Sequence, residues 1–446
     1  MAFVGADHPE PLPERSTVNR LLRVGTVILL ASTPLAATSP ASASDRPGCT
    51  FSPSVHGSTE EQRLSHPIPQ QILRSSGLQK TVEDFSRSLC ATRSPGQART
   101  VVRDHGHRLW REAVRRAQQH TADEMAAGTL SHDDDRPLYW ARLSMTLALK
   151  QWDPAFTVSS AQRGSLLELL ERTSRGQDTI SFGKDADVKR ILLTGFDPFD
   201  LDWDSRTSNP SGAVALALDG VTVQTPYGPA RIETAVFPVR WQDFAEGTVE
   251  RTLASHFRPG PQQVDMFATV SQGQPDRFDI ERWNGAWRGG YQDNDNLSST
   301  GTISIPAGLP TVRPQPQWTH TTLPYRAIVR AATGRFPVYD HTQVTEIPAG
   351  GTKPVIRPDG PTPGSVAREG GGGDYLSNEI AYRATLLRDA LDPHIPGGHI
   401  HTPVLEFGTG NSTDLTDPTF LRNRGDIVAQ TRAIVEAAAA TIGAGR

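Results

Sequence analysis

The sequence predicts an α/β fold on a mostly parallel sheet, preceded by an all-α region. Three observations carry that expectation. Short apolar runs stop at glycine-containing turns: Ile191, Leu192 and Leu193 in "DVKRILLTGFDPF", and "MFATVSQG" from Met266 to Gly273. Buried parallel strands read this way, apolar on both faces and opening into a loop. Helix candidates separate these runs, namely "PSGAVALALDG", "RWQDFAEGTVERTLASHF", "YRAIVRAATGRF", "YLSNEIAYRATLLRDAL" and the terminal "RGDIVAQTRAIVEAAAATIGAG". Strands alternating with helices imply crossover units on a parallel sheet, whose sites lie beyond the carboxyl ends of the strands. Upstream, residues 80–185 place their apolar residues at helical spacings.

From the N-terminus, residues 1–43 read as an export leader. Arg15, Arg20 and Arg23 precede a short apolar core, Val24 to Ala37, and Ala41 to Ala43 form an A-x-A cleavage pattern. The mature chain is expected to start at Ser44 and to be secreted. Residues 44–186 form the helical region. Its first part, 45–75, is polar and proline-rich and reads as loop. "ARTVVRDHGHRLWREAVRRAQQHTADEMAAG", "RPLYWARLSMTLALKQW" and "SSAQRGSLLELLERTSRG" follow as helices. "HDDDR", His132 to Arg136, reads as a solvated loop before a helix, because its carboxylates are consecutive rather than spaced around a turn.

Residues 187–446 form the α/β domain. Besides its two clear strands, "GHIHTPVLEF" reads as a weaker one. The stretch 340–373 is rich in proline and glycine and reads as a mobile loop leading to Ser377.

At 446 residues the chain suits about three domains, or two with a leader. Its formal net charge is -4 and its body has no lysine-arginine block, which argues against nucleic acid and membrane surfaces as partners. After the leader no apolar run reaches the length of a membrane span. In an exported chain the two cysteines, Cys49 and Cys90, are expected to form one disulfide.

The chemistry concentrates near Ser377, in "GGGGDYLSNEIAY". A serine hydroxyl attacks only with a base in hydrogen-bond reach, itself oriented by a carboxylate. His401 falls at a strand end and Glu281 lies in "FDIERWNG". A serine in the first turn of a helix has free backbone N–H groups beside it, a ready oxyanion hole. The same residue types also read blandly, as a helix cap, a structural histidine and a surface ion pair. "HIH" lacks a third metal ligand at helical or strand spacing, and "GGGG" lacks the Lys-Ser/Thr of a P-loop, so no metal or cofactor is expected.

"ILLTGFDPFD" followed by "SNPSG" resembles the opening of the pyroglutamyl peptidase I (pyrrolidone-carboxylate peptidase) family, a strand, T-G-F-x-P-F, then N-P-S. Further landmarks follow in order. "TVSQGQPDRFDIER" resembles a Gly-Gln strand end and I-x-x-E-R, "YQDNDN" loosely matches D-N-x-G, and "TTLP" resembles S-T-L-P. "GDYLSNEIAY" resembles A-G-x-Y-L-C-N-x-x-x-Y, and "GHIHTP" resembles G-F-I-H-x-P. The resemblance covers about residues 188–446 and implies a three-layer α/β/α fold.

It further implies that Phe196 and Phe199 sandwich a lactam ring, that Asn209 shapes that pocket, and that Gln272 lies by the substrate carbonyl. Glu281 would be the catalytic acid and His401 the base. Ser377 stands where the family has its nucleophilic cysteine. The expected function is hydrolysis of an N-terminal pyroglutamyl residue from a peptide, with a Ser/His/Glu site. A non-catalytic pyroglutamyl-peptide-binding protein is the alternative.

Overall fold

The computed structural model describes residues 49–119, 130–185 and 187–443. The leader expected over residues 1–43 lies outside the described residues. In chain order, β1 (Cys49–Phe51) precedes α1 (Thr59–Gln62), α2 (Pro67–Ser76), α3 (Gln79–Cys90), α4 (Pro95–Gln118), α5 (Arg136–Gln151), β2 (Trp152–Pro154) and α6 (Ser160–Thr173). Local chemistry starts these helices. Ser58 with Glu61 and Ser159 with Gln162 form capping boxes, and Pro67 and Pro95 occupy helix starts where no backbone donor is needed. The stretch 45–75, expected as loop, therefore contains α1 and α2. α1 is too short to show a period and is marked by its capping box, whereas α2 is marked by Pro67 at its start, Gly77 at its end and an apolar face with buried Pro69 and Ile72. β1 and β2 pair antiparallel, and a disulfide from Cys49 to Cys90 ties β1 to the end of α3.

The second part begins with β3 (Lys189–Phe196), α7 (Pro210–Leu218), β4 (Thr222–Thr225), β5 (Gly228–Phe237), α8 (Trp241–Ala245), α9 (Thr248–Phe257), β6 (Met266–Gln272) and β7 (Phe278–Glu281). Then come β8 (Trp283–Gly285), β9 (Trp287–Gln292), β10 (Ser298–Thr302), β11 (Trp318–His320), α10 (Tyr325–Arg330) and β12 (Val338–His341). The chain ends with β13 (Val344–Ile347), β14 (Val355–Arg357), β15 (Val366–Glu369), α11 (Leu376–Leu391), β16 (Gly397–Thr402) and α12 (Pro418–Ala439). The candidate "RWQDFAEGTVERTLASHF" is two helices, because Gly247 adopts φ +84° between α8 and α9.

Seven strands form the central sheet in the order β12-β7-β16-β6-β3-β5-β4. Pairing is parallel throughout except at β16-β7 and at β4-β5. Ile191 and Leu193 on one face pack with Val214 of α7 and Ile427 and Ile434 of α12. Leu192 on the other face packs with Leu253 of α9 and Ile380 of α11. Each such side chain, fully buried, stabilises by about 1.5–3 kcal/mol. The result is a three-layer α/β/α fold with a largely parallel sheet. The helices of the first part share a core with Ala215 and Leu216 of α7 and Val236 of β5. All of this belongs to one compact unit, Pro47–Arg446.

The stretch 340–373 departs from expectation. It finishes β12 and then forms a three-stranded antiparallel sheet, β14-β13-β15. Glu346 is buried there and accepts hydrogen bonds from Arg357 Nε and Thr362 Oγ1 at 2.8 and 2.6 Å. Strands of three or four residues are too short to display alternation, and the prolines and glycines mark turns between them.

Candidate active site

β3 delivers the first wall of a pocket. A side chain on Gly195 would collide with the Ser211 carbonyl, so glycine lets the strand end directly against the first turn of α7. Phe196 N donates to Ser211 Oγ at 3.0 Å. Asn209 caps α7: its Oδ1 accepts from Ser211 N at 3.1 Å, and its Nδ2 donates to the Asp197 carbonyl at 2.9 Å. The cap thus staples the T-G-F-D-P-F turn to the helix that follows it.

A small pocket, open to solvent, lies here. Phe196, Phe199, Asn209, Gln272 and Ser377 all line it, together with Ser271. The two phenylalanines differ. Phe196 is 3% exposed and stacks parallel on Phe244, whereas Phe199 is half-buried and tilts against Tyr375. Gln272 Oε1 accepts from Leu405 N at 3.3 Å.

At the carboxyl end of the sheet, Glu281 and His401 meet. His401 Nδ1 lies 2.7 Å from Glu281 Oε1, which leaves Nε2 as the nitrogen free for proton transfer. Glu281, read in isolation as a possible surface residue, is 1% exposed. Its other oxygen, Oε2, lies 2.6 Å from His341 Nδ1. Burial by itself would raise the Glu281 carboxyl. The hydrogen bonds and charges of His341 and His401 outweigh it and hold the group at about 2, below its ordinary 4.5. Burial likewise pulls His341 down, and its bond to Glu281 prevails and raises it above 6.5. Sequence reasoning missed His341, a single histidine in a polar stretch. Only the parallel pairing of β12 with β7 puts it directly opposite Glu281.

Two of the four glycines of 370–373, Gly371 and Gly372, pack onto this pair. A Cβ on Gly371 would overlap Glu281 Oε2, and one on Gly372 would sit 3.3 Å from His401 Cε1. The glycines are there for close approach. Ser377 follows as the second residue of α11. It does not cap the helix; Tyr375 holds that position without a side-chain bond. The N–H groups of this first turn have no acceptor within the helix. Ser377 Oγ donates to the Gly372 carbonyl at 2.9 Å. The serine therefore meets the histidine-glutamate pair through the glycine loop rather than by a direct bond. Among the described residues no group of three His, Cys, Asp or Glu is placed to hold a metal ion.

The helical region supports the same turn from behind. Arg142 Nη2 lies 2.7 Å from Asp197 Oδ1, and Arg175 pairs with Asp197 Oδ2. Asp135 accepts from Asn209 N at 2.9 Å and from the Ser208 hydroxyl. "HDDDR" is thus no solvated loop. Asp134, Asp135 and Arg136 are buried, Arg136 pairing with Asp134 at 2.6 Å. Consecutive carboxylates suit this place because one faces an arginine and the next faces the pocket turn. Tertiary contact alone decides that.

The fold and site define a three-layer α/β protein whose pocket joins aromatic walls and a helix-terminal serine, with a buried histidine-glutamate pair packed on the glycine loop before that serine. The chain belongs to the PA0049 family. The PA0049 N-terminal domain matches residues 39–171, and the PA0049 C-terminal domain matches residues 190–315 and 336–406. A relative, uncharacterized protein PA0049 of Pseudomonas aeruginosa, is 32% identical over 87% of this chain and 90% of its own length. Among solved structures, pyroglutamyl peptidase I of Bacillus amyloliquefaciens is 21% identical, with a TM-score of 0.39 over 56% of this chain and 97% of its own. A mutant pyrrolidone carboxyl peptidase of Pyrococcus furiosus is 20% identical, with a TM-score of 0.38 over 56% of this chain and 98% of its own.

Proposed function

We propose that this chain is an exported hydrolase that removes an N-terminal pyroglutamyl residue from peptides. The carrying observation is that Phe196, Phe199, Asn209, Gln272 and Ser377 line one pocket, beside the bonded pair His401 and Glu281. In this reading the lactam ring lies against Phe199 and the edge of Phe196. Ser377 turns from the Gly372 carbonyl, attacks the pyroglutamyl carbonyl carbon and passes its proton to His401 Nε2. Glu281 orients the imidazole and balances its charge. The oxyanion meets the N–H groups at the start of α11, each such donor being worth about 10²–10³ in rate. His401 returns the proton to the leaving amine, and water then cleaves the acyl-serine bond by the same base.

The test is hydrolysis of a pyroglutamyl-fluorophore amide by the mature chain. Wild type is expected to turn over and Ser377→Ala to lose at least about a thousandfold. Equal rates would remove Ser377 from the mechanism. A second reading, a pyroglutamyl-peptide-binding protein without turnover, is favoured by one observation: the Ser377 hydroxyl points to a carbonyl instead of a base. Ligand binding without wild-type hydrolysis selects it.

A further inference from the structure

A bonded serine-histidine pair, Ser271 and His399, has its serine on the wall of this pocket, and the proposed mechanism does not use it. β6 and β16 run parallel, so Thr269, Ser271, His399 and His401 share one sheet face. His399 is fully buried, its Nδ1 is 2.7 Å from Thr269 Oγ1, and its Nε2 is 2.9 Å from Ser271 Oγ. Thr269 Oγ1 also reaches the Gly398 carbonyl at 3.3 Å. These three contacts determine the direction of the chain. A carbonyl only accepts, so the Thr269 proton goes to Gly398 and Thr269 Oγ1 accepts from His399 Nδ1–H. Nε2 is then unprotonated and takes the Ser271 proton. The opposite tautomer leaves the Thr269–Gly398 bond unmade.

We propose that Ser271, its proton committed to His399, presents Oγ to the pocket as an acceptor for a substrate N–H, the ring N–H of a lactam. The assignment rests on the pyroglutamyl reading above and adds a specificity residue to it. A neutral His399 keeps the relay in one direction, and burial followed by the charge of His401 holds its imidazole well below 6.5. The phenylalanine walls select a flat ring, but they do not distinguish a lactam from a lactone of the same shape. An acceptor does, because it is left facing a ring oxygen that cannot donate.

The experiment is calorimetric binding to the mature full chain of two probes, L-pyroglutamamide and the lactone in which oxygen replaces the ring N–H. Wild type is expected to prefer the lactam by about tenfold, the worth of one hydrogen bond. Ser271→Ala should bind both alike, while Ser377→Ala should keep the preference. His399→Phe keeps a ring of similar size and frees the Ser271 proton, so it should also lose the preference; it substitutes if Ser271→Ala does not fold. A wild type that binds both probes alike, or a Ser271→Ala that still discriminates, overturns the inference and leaves the hydrolase reading standing. Failure of wild type to bind either probe overturns both. Covalent capture of Ser271 by a pyroglutamyl ester also overturns it, by making Ser271 the attacking group.

Discussion

His341 stands opposite Glu281 across a parallel strand pair, with Nδ1 2.6 Å from the carboxylate that also holds His401. One buried carboxylate thus serves two imidazoles, and only His401 belongs to the proposed mechanism. This arrangement has a pH signature. The Glu281 carboxyl drops from 4.5 to about 2 on folding, so its contribution is complete above pH 4.5 and is lost as pH falls toward 2. His341 rises above 6.5 on folding, so its contribution is complete below pH 6.5 and is lost as pH rises through the raised value. Thermal midpoints against pH should therefore fall on both sides of the window between 4.5 and 6.5. His341→Asn should flatten the alkaline limb, and an unchanged limb would assign it to another group.

Gly371 and Gly373 should respond differently to alanine. At Gly371 the new Cβ overlaps Glu281 Oε2, so the carboxylate must move. A loss of about 1–3 kcal/mol, with displacement of His401 and of any hydrolysis, is expected. At Gly373 nothing lies within 4 Å, and the cost is only that of φ +79°, about 1–2 kcal/mol. Urea midpoints measure the stability change, and the rate or ligand affinity separates the two sites. Equal functional effects would mean that the loop does not position the pair.

The two pocket phenylalanines should divide stability from binding. Phe196→Ala removes a ring that is 3% exposed and should cost about 3–5 kcal/mol. Phe199→Ala, at a half-buried position, should cost less and weaken pyroglutamyl-ligand binding more. The reverse order would place the binding surface on the other ring.

Asp197 should report on the helical region. Asp197→Ala leaves Arg142 buried without its carboxylate and Arg175 paired with Glu171 alone, a change expected to cost about 3–5 kcal/mol. A loss below about 1 kcal/mol in denaturant unfolding would show that the helices merely lie against the pocket turn.

Removing the disulfide should destabilise the helical region without touching the site. Closing a loop of 41 residues contributes about 4 kcal/mol in the chain-entropy model. Cys49→Ala with Cys90→Ala should lower the urea midpoint and leave ligand affinity unchanged. A loss of affinity in the folded variant would tie that loop to the pocket.

The amino-acid sequence by itself determined the layered α/β plan, because β3 and β6 are apolar on both faces and the intervening helices carry their own period and caps. The resemblance its motifs carry also pointed to Phe196, Phe199, Asn209, Gln272 and Ser377, which line one pocket. The disulfide from Cys49 to Cys90 was legible as well, but most polar partners chosen across the fold lay beyond the sequence. His341 meets Glu281 only through strand pairing, Asp135 meets Asn209 over 74 residues, and His399 finds Ser271 over 128. The short strands of 340–373 were equally silent, since three or four residues cannot display a period. Tertiary structure also decided where the Ser377 proton points, toward Gly372, because a hydroxyl rotates to whichever acceptor the packed loop presents. Local motifs encode backbone shape, whereas hydrogen-bond partners and burial are properties of the assembled chain.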